Sequence, residues 1–188
     1  LRNRGLVMSM TLIEHIEVGS GGAASISFVS VGDIPSDYTD LMLKISARST
    51  SEINSTIKWA EIILKPNNSS SGLSARSLLG YSTSSVASNT DAITGGFANG
   101  NTTTANTFSS VEIYIPNYRS SVAKSWSIDS VTEHNGVECL RWISANLWTG
   151  TDPITSIVLG LNQGDFAQYS SATLFGVTSG ADGTTTVS

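Results

Sequence analysis

Alternation of apolar and polar residues is the clearest pattern in this chain, and it is strongest between residues 107 and 133. From Ser110 to Pro116 an extended backbone would separate two sets of side chains, with Val111, Ile113 and Ile115 on one side and Glu112 and Tyr114 on the other. Pro116 ends this strand because it cannot donate to a ladder. After a polar turn, Trp126 and Ile128 share one face of the next strand. The pattern predicts two half-buried strands whose apolar face lies on a second sheet.

The same type of pattern recurs along the rest of the chain. Strands are predicted near residues 10–18, 23–31, 41–48, 57–65, 76–81, 139–148, 154–161 and 172–177, and residues 92–97 are an additional candidate for a short strand. The strand at 139–148 has apolar residues of both parities, which predicts a central position covered on both sides. Residues 82–89 and 95–106 have loop composition. With roughly eight to ten strands and no helical period, the chain is expected to be all-β, an antiparallel β-sandwich that is jelly-roll-like.

The 188 residues suffice for one core. We expect an N-terminal arm at 1–10, a sandwich domain at 11–177 and a C-terminal tail at 178–188. The tail is rich in Gly, Ser and Thr and cannot bury an apolar face of its own. Order in such ends would come from a neighbouring subunit, which predicts a homo-oligomer.

Charge argues against nucleic acid and membrane partners. Only 13% of the residues are charged, the net charge is -5, and the 10 Lys and Arg residues are scattered rather than clustered. No apolar run reaches the ~18 residues of a membrane helix, and the first ten residues lack the apolar centre of a signal peptide. A soluble protein that is not exported is therefore expected.

Candidate catalytic groups are few. The single Cys139 excludes an internal disulfide, offers no metal-ligand spacing, and is interpreted as a small buried side chain. His134 is expected in a solvated loop, and His15 in a strand beside a carboxylate. The Asp33–Asp40 turn could hold calcium, but its spacing does not match a calcium loop and favours a solvated turn. No catalytic, cofactor or metal residue is predicted.

Two weaker site hypotheses remain open. Three carboxylates on neighbouring strands could supply a glycosidase pair, although their outward parity favours ordinary surface charge: Glu112, Asp129 and Glu133. Three aromatics near turns could stack on a sugar: Trp148, Tyr118 and Tyr81. The remaining tryptophans are expected in the core, namely Trp59, Trp126 and Trp142.

Three segments carry a family resemblance: Met10–Val18 with the glycine-rich turn that follows, Thr107–Tyr118, and Phe166–Val177. Together they resemble small structural proteins in the virions of tailed bacteriophages, especially those of aquatic bacteria and cyanobacteria. The resemblance implies a jelly-roll-like, non-enzymatic protein located on the virion, with the major capsid protein or other virion proteins as partners. A capsid decoration (cement) protein, expected to be a homotrimer that contacts the shell through its arm, tail and loops, is the first possibility. A tail or fibre module that binds host surface glycan is the alternative.

Overall fold

The computed structural model describes residues 9–28, 34–54, 56–81, 84–90, 94–135 and 139–178. Within these residues the chain forms twelve strands and no helix. The strands are β1 (Ser9–Glu17), β2 (Ser25–Phe28), β3 (Asp40–Ala47), β4 (Trp59–Pro66), β5 (Leu73–Tyr81), β6 (Ser84–Thr90), β7 (Gly96–Asn99), β8 (Ser109–Ile115), β9 (Lys124–Thr132), β10 (Leu140–Trp148), β11 (Ile157–Leu161) and β12 (Ser171–Thr178).

The strands form two antiparallel sheets of unequal width. The large sheet has eight strands in the order β1-β12-β3-β8-β9-β10-β5-β6, and the small sheet has four in the order β2-β11-β4-β7. The all-β antiparallel sandwich predicted from the sequence is confirmed.

Eight of the strands have jelly-roll topology. The quartet β1-β12-β3-β8 packs against the quartet β2-β11-β4-β7, and the chain repeatedly crosses from one quartet to the other. Two hairpins, β5-β6 and β9-β10, are inserted into this plan and extend the large sheet beyond β8. They give the protein one sheet that is twice as wide as the other.

The predicted strand pair at residues 107–133 is β8 and β9, which are adjacent and antiparallel. Their inward side chains are buried against the small sheet, and β8 ends at Ile115, immediately before Pro116. The three tryptophans assigned to the core are buried there: Trp59, Trp126 and Trp142. Phe97 on β7 packs edge-to-face with Trp59 at 5.9 Å and with Trp142 at 5.2 Å between ring centroids, so it links β4 to β10.

Three of the predictions on strands and loops are wrong. The segment 95–106, expected to be a loop, contains β7, because Gly96–Asn99 pair with β4. Residues 82–89, expected to be a loop, contain most of β6, because pairing with β5 orders a Ser-rich segment that has no apolar alternation of its own. β10 is not covered on both sides, since Ile143 and Leu147 are 45% and 37% exposed on the outer face of the large sheet. The small sheet covers one face of the large sheet only.

Arg48 holds the loop between β7 and β8. Its guanidinium donates to the carbonyl oxygens of Asn101, Thr103, Thr104 and Thr107 at 2.9 to 3.1 Å, and to the Thr103 hydroxyl at 2.9 Å. A five-donor planar group suits this task because its hydrogen bonds radiate in a fixed plane. The loop is therefore fixed by one cation and several neutral oxygens.

Replacing Arg48 with alanine is expected to lower the free energy of unfolding by about 2–4 kcal/mol, because several carbonyl groups lose a charged donor together. Urea unfolding followed by tryptophan fluorescence measures the loss. Arg76→Ala is the matched control: Arg76 is exposed on β5 and donates to its neighbour Ala75. It should change stability by less than about 0.5 kcal/mol. Equal effects of the two variants would contradict the role assigned to Arg48.

Candidate functional site

The outer face of the large sheet, the face turned away from the small sheet, spans eight strands and carries several exposed apolar residues. Cross-strand register puts a row of large apolar side chains on this face: Leu12, Phe175, Met42 and Tyr114 on β1, β12, β3 and β8. Ser127 and Ala145 continue the row. Leu12 is 56% exposed, while the other three aliphatic and aromatic side chains are partly buried.

A second row of cross-strand partners runs parallel to the first, and its members on β3, β8 and β9 are charged. It consists of Lys44, Glu112, Asp129, Ile143 and Leu78 on β3, β8, β9, β10 and β5. Ile143 and Leu78 are 45% and 51% exposed. We call the apolar members of the two rows the apolar band: Leu12, Phe175, Met42, Tyr114, Ile143 and Leu78.

Between the two rows lies a shallow depression of about 510 Å³. It is lined mainly by apolar residues of β3, β5, β8, β9 and β10, together with the carboxylates of Glu112 and Asp129. An open, shallow, mostly apolar depression suits the surface of another macromolecule better than a small ligand, which is usually enclosed on most sides.

Two ion pairs lie on this face, which also carries the exposed Arg76 as the cross-strand partner of Ala145. Lys44 Nζ lies 2.7 Å from Glu112 Oε1, and Arg141 lies 2.5 Å from Asp129 Oδ2. All four side chains are about half exposed, so each pair contributes little to stability. Glu112 and Asp129 are direct cross-strand partners, an arrangement that is unfavourable for like charges, and each carboxylate has a cation beside it.

These contacts bear on the glycosidase hypothesis. The strands do bring Glu112 and Asp129 together, whereas Glu133 follows β9 and accepts a hydrogen bond from the backbone N–H of Asn135 at 2.7 Å. An acid–base pair needs one carboxyl group in an apolar environment. Exposed carboxylates that are each bound to a cation are typical of surface ion pairs instead.

Tyr114 is the most firmly positioned side chain in the apolar band. Its hydroxyl donates to Asp40 Oδ2 at 2.6 Å, and Asp40 Oδ1 accepts from the Asn117 backbone N–H at 2.9 Å. The hydrogen bond to Asp40, with burial and the nearby carboxylate charge adding to it, raises the pKa of Tyr114 to about 12. The ring is thus tethered at its far end, which limits the entropy that a partner would have to remove.

The sugar-stacking hypothesis is wrong for two of its three residues. The Tyr118 ring is fully buried and its hydroxyl donates to the Pro35 carbonyl. Trp148 is 6% exposed, with Lys124 Nζ 5.4 Å from the ring centroid and Gly150 so close that an added Cβ would lie 2.2 Å from the ring. The positions of Tyr118 and Trp148 near turns predict that their rings are exposed, but both turns fold over the rings. Tyr81 ends β5, and its side chain lies outside the described part of the structure.

Three other assignments also need correction. His134 is 4% exposed rather than solvated, and its carbonyl accepts from the Thr104 hydroxyl. Cys139 is exposed rather than buried. His15 lies on β1 as expected, but its Nδ1 is hydrogen-bonded to the Thr173 hydroxyl at 2.8 Å and not to a carboxylate. Residue parity alone could not distinguish these environments.

One exposed aromatic was not selected from the sequence. Tyr169 is 63% exposed and has a φ of 69°, a left-handed conformation that is unusual for a bulky residue. Its backbone N–H donates to the Val18 carbonyl at 2.9 Å, which fixes the turn before β12. No sequence signal marks it, because the Ala-Gln-Tyr-Ser segment contains neither Gly nor Asn at that position.

Among the described residues, no cluster of three or more His, Cys, Asp or Glu side chains could hold a metal ion. Asp33, the first residue of the acidic turn, lies outside the described residues, and Asp40 is engaged with Tyr114. The described part of the chain also contains no helix of the length and apolarity that crossing a membrane requires. Comparisons with protein families, with curated proteins and with solved structures gave no match to this chain.

The hydrogen bond from Tyr114 to Asp40 should make stability depend on alkaline pH. Because the pKa of Tyr114 is raised in the folded protein, the hydrogen bond contributes its full stabilisation below the ordinary value of 10.0. This stabilisation is lost as the pH rises through about 12. The difference in unfolding free energy between the wild-type protein and Tyr114→Phe should therefore narrow above pH 10. Urea titrations at pH 8 and at higher pH would measure it.

Absorbance at 295 nm offers an independent reading of the same contact. Asp40→Ala should lower the pKa of Tyr114 towards 10.0, because both the acceptor and its charge are removed. Asp165→Ala, an exposed carboxylate at the opposite end of the sheet, is the control and should leave the titration unchanged. An equal shift of the Tyr114 pKa in both variants would mean that Asp40 does not cause the raised pKa.

Proposed function

We propose that this protein is a non-enzymatic structural component of a tailed-bacteriophage virion, and specifically a capsid decoration (cement) protein. Its partners are the major capsid protein or other virion proteins. The exposed apolar band on an eight-stranded face is the single observation that carries this proposal, because contiguous exposed apolar surface is typical of protein–protein contact sites.

The segments that resemble phage virion proteins support this reading by their location. Met10–Val18 is essentially β1, Thr107–Tyr118 contains β8, and Phe166–Val177 contains all of β12 except its last residue. These strands, with β3 between them, make up one half of the large sheet. The resemblance therefore falls on the half of the outer face that carries Leu12, Phe175, Met42 and Tyr114.

The arrangement of the chain ends also suits a protein that grips a shell. Ser9 and Thr178 are cross-strand partners, so the arm and the tail join the sandwich at one corner of the large sheet. We infer that the arm and the tail both contact neighbouring molecules on the shell, because the chain continues from these two adjacent residues beside the same flat face.

Quantitative mass spectrometry of purified virions tests the location. A cement protein should occur in a ratio close to that of the major capsid protein. A much lower ratio would favour the tail or fibre alternative, and absence from the particle would refute the proposal.

The contact surface can be tested by binding to particles that lack this protein. Leu12→Glu combined with Ile143→Glu should weaken co-sedimentation at least about tenfold, because charge would be buried in the contact. Both side chains are exposed, so the fold should be retained. Val122→Glu is the matched control: Val122 is 61% exposed in the loop between β8 and β9, away from the apolar band. Equal binding by all variants would exclude this face.

The glycan-binding alternative keeps Tyr81, whose side chain lies outside the described part of the structure, and gains one residue that the sequence did not predict. Tyr169 is an aromatic side chain with a largely exposed ring in a loop. Specific binding on a glycan array that is lost in Tyr169→Ala would favour a tail or fibre module. Release of reducing sugar from a bound glycan would instead indicate an enzyme.

A further inference from the structure

The four outer edges of the two sheets are not equally protected against pairing with another chain. An edge strand exposes unpaired N–H and C=O groups, and proteins usually shield it by short length, charge, a bulge or cover. β2 and β7 are four residues long, and all four residues of β7 are buried. β1 has a bulge between Leu12 and Glu14 and carries Glu14 and Glu17. Three edges therefore carry recognised protection.

β6 is the exception. It is seven residues long, pairs with β5 through all seven, and no described strand pairs with its other side. Its sequence, Ser-Ser-Val-Ala-Ser-Asn-Thr, contains no charged residue and no proline. Residues 85–87 at its centre are exposed, and Val86 is 52% exposed. This strand therefore lacks the short length, the charge and the bulge that usually shield an edge, and no described strand covers its open side.

On each face of the large sheet, a row of apolar cross-strand partners reaches this edge. On the outer face, Ile143, Leu78 and Ala87 are successive cross-strand partners on β10, β5 and β6. On the inner face, Leu79 and Val86 are partners on β5 and β6. Each row ends at the open edge with an exposed residue. A strand added there would bury Val86 and Ala87 and extend both rows.

We propose that β6 pairs with β6 of a second copy of this chain, antiparallel and about a two-fold axis. Two identical edges related by a two-fold axis perpendicular to the sheet are antiparallel, and each supplies the same donors and acceptors to the other. A register centred on Ala87, the middle residue of Ser84–Thr90, pairs all seven residues and sets Ala87 opposite its own copy. The two large sheets then form one continuous sheet.

This inference does not depend on the virion assignment, and it differs from the trimer expected from the sequence. A ring of three would need a heterologous contact, with β6 of one copy against the edge strand β1 of the next. The bulge and carboxylates of β1 disfavour that contact. A self-pairing edge gives dimers and stops there, because each β6 is used once.

Sedimentation equilibrium of the full chain tests the proposal. A contact through one strand is small, so we expect reversible dimers in the range of about 10 µM to 1 mM. Ala87→Lys and Ala87→Glu should each be monomeric, because like charges would face each other across the axis. An equimolar mixture of the two variants should restore dimers by pairing lysine with glutamate. Thr11→Lys, which puts the same charge on the exposed surface of β1, should leave dimers intact.

Several outcomes would overturn the proposal. These are a wild-type protein that stays monomeric at about 1 mM, dimers that persist in both single Ala87 variants, and association that Thr11→Lys abolishes. Loss of dimers in Leu12→Glu with Ile143→Glu, but not in the Ala87 variants, would assign the contact to the outer face instead. Circular dichroism checks that each variant remains folded.

A covalent trap gives a second reading that does not rely on charge. Opposed residues of an antiparallel pair have Cα atoms about 4.5–5.5 Å apart, which is within the range of a disulfide. Ala87→Cys in a Cys139→Ser background should therefore form disulfide-linked dimers on mild oxidation. Thr11→Cys in the same background should not. Equal cross-linking of the two variants, or none in either, would contradict the β6 contact.

Discussion

The sharing of one apolar core by two sheets of unequal width governs the rest of this structure. β7 is the last strand of the small sheet and lies over β8 and β9, so β10, β5 and β6 extend beyond it. The inner face of the large sheet changes character at this boundary. It is aliphatic on β3 and β8, whereas on β10 it includes the buried Ser144 and Asn146, whose side chains hydrogen bond to each other at 2.7 Å.

The same mismatch accounts for both candidate contact surfaces. A sheet of eight strands exposes a wide outer face, which no described element covers, and the alternation of β8 and β10 sets apolar residues on it. The inserted hairpin β5-β6 moves the end of the sheet away from the jelly roll and leaves β6 as an edge without a covering loop among the described residues. The open edge is thus a product of the β5-β6 insertion, whereas the apolar band lies mainly on the quartet β1-β12-β3-β8, to which the inserted hairpins add Ile143 and Leu78.

The sequence predicted the features that depend only on alternation, because in an alternating strand every second side chain faces the core. β3, β8 and β9 alternate strictly, and their inward residues are buried as expected. β6 could not be predicted, because its order comes from pairing with β5 and not from its own apolar content. Tyr118 and Trp148 failed for a related reason: whether a ring beside a turn is exposed depends on where the turn folds, and here Pro35 and Gly150 close over them.

The pairing of Ser9 with Thr178 has a practical consequence for anyone who adds sequence to this protein. In a chain trimmed to these two residues, peptides joined to them would emerge side by side, at the end of the sheet where Asp40 lies and away from the loop that Arg48 holds. A short linker from Thr178 to Ser9 would close the trimmed chain into a circle without crossing the body. The scaffold is therefore suited to presenting two epitopes at one point.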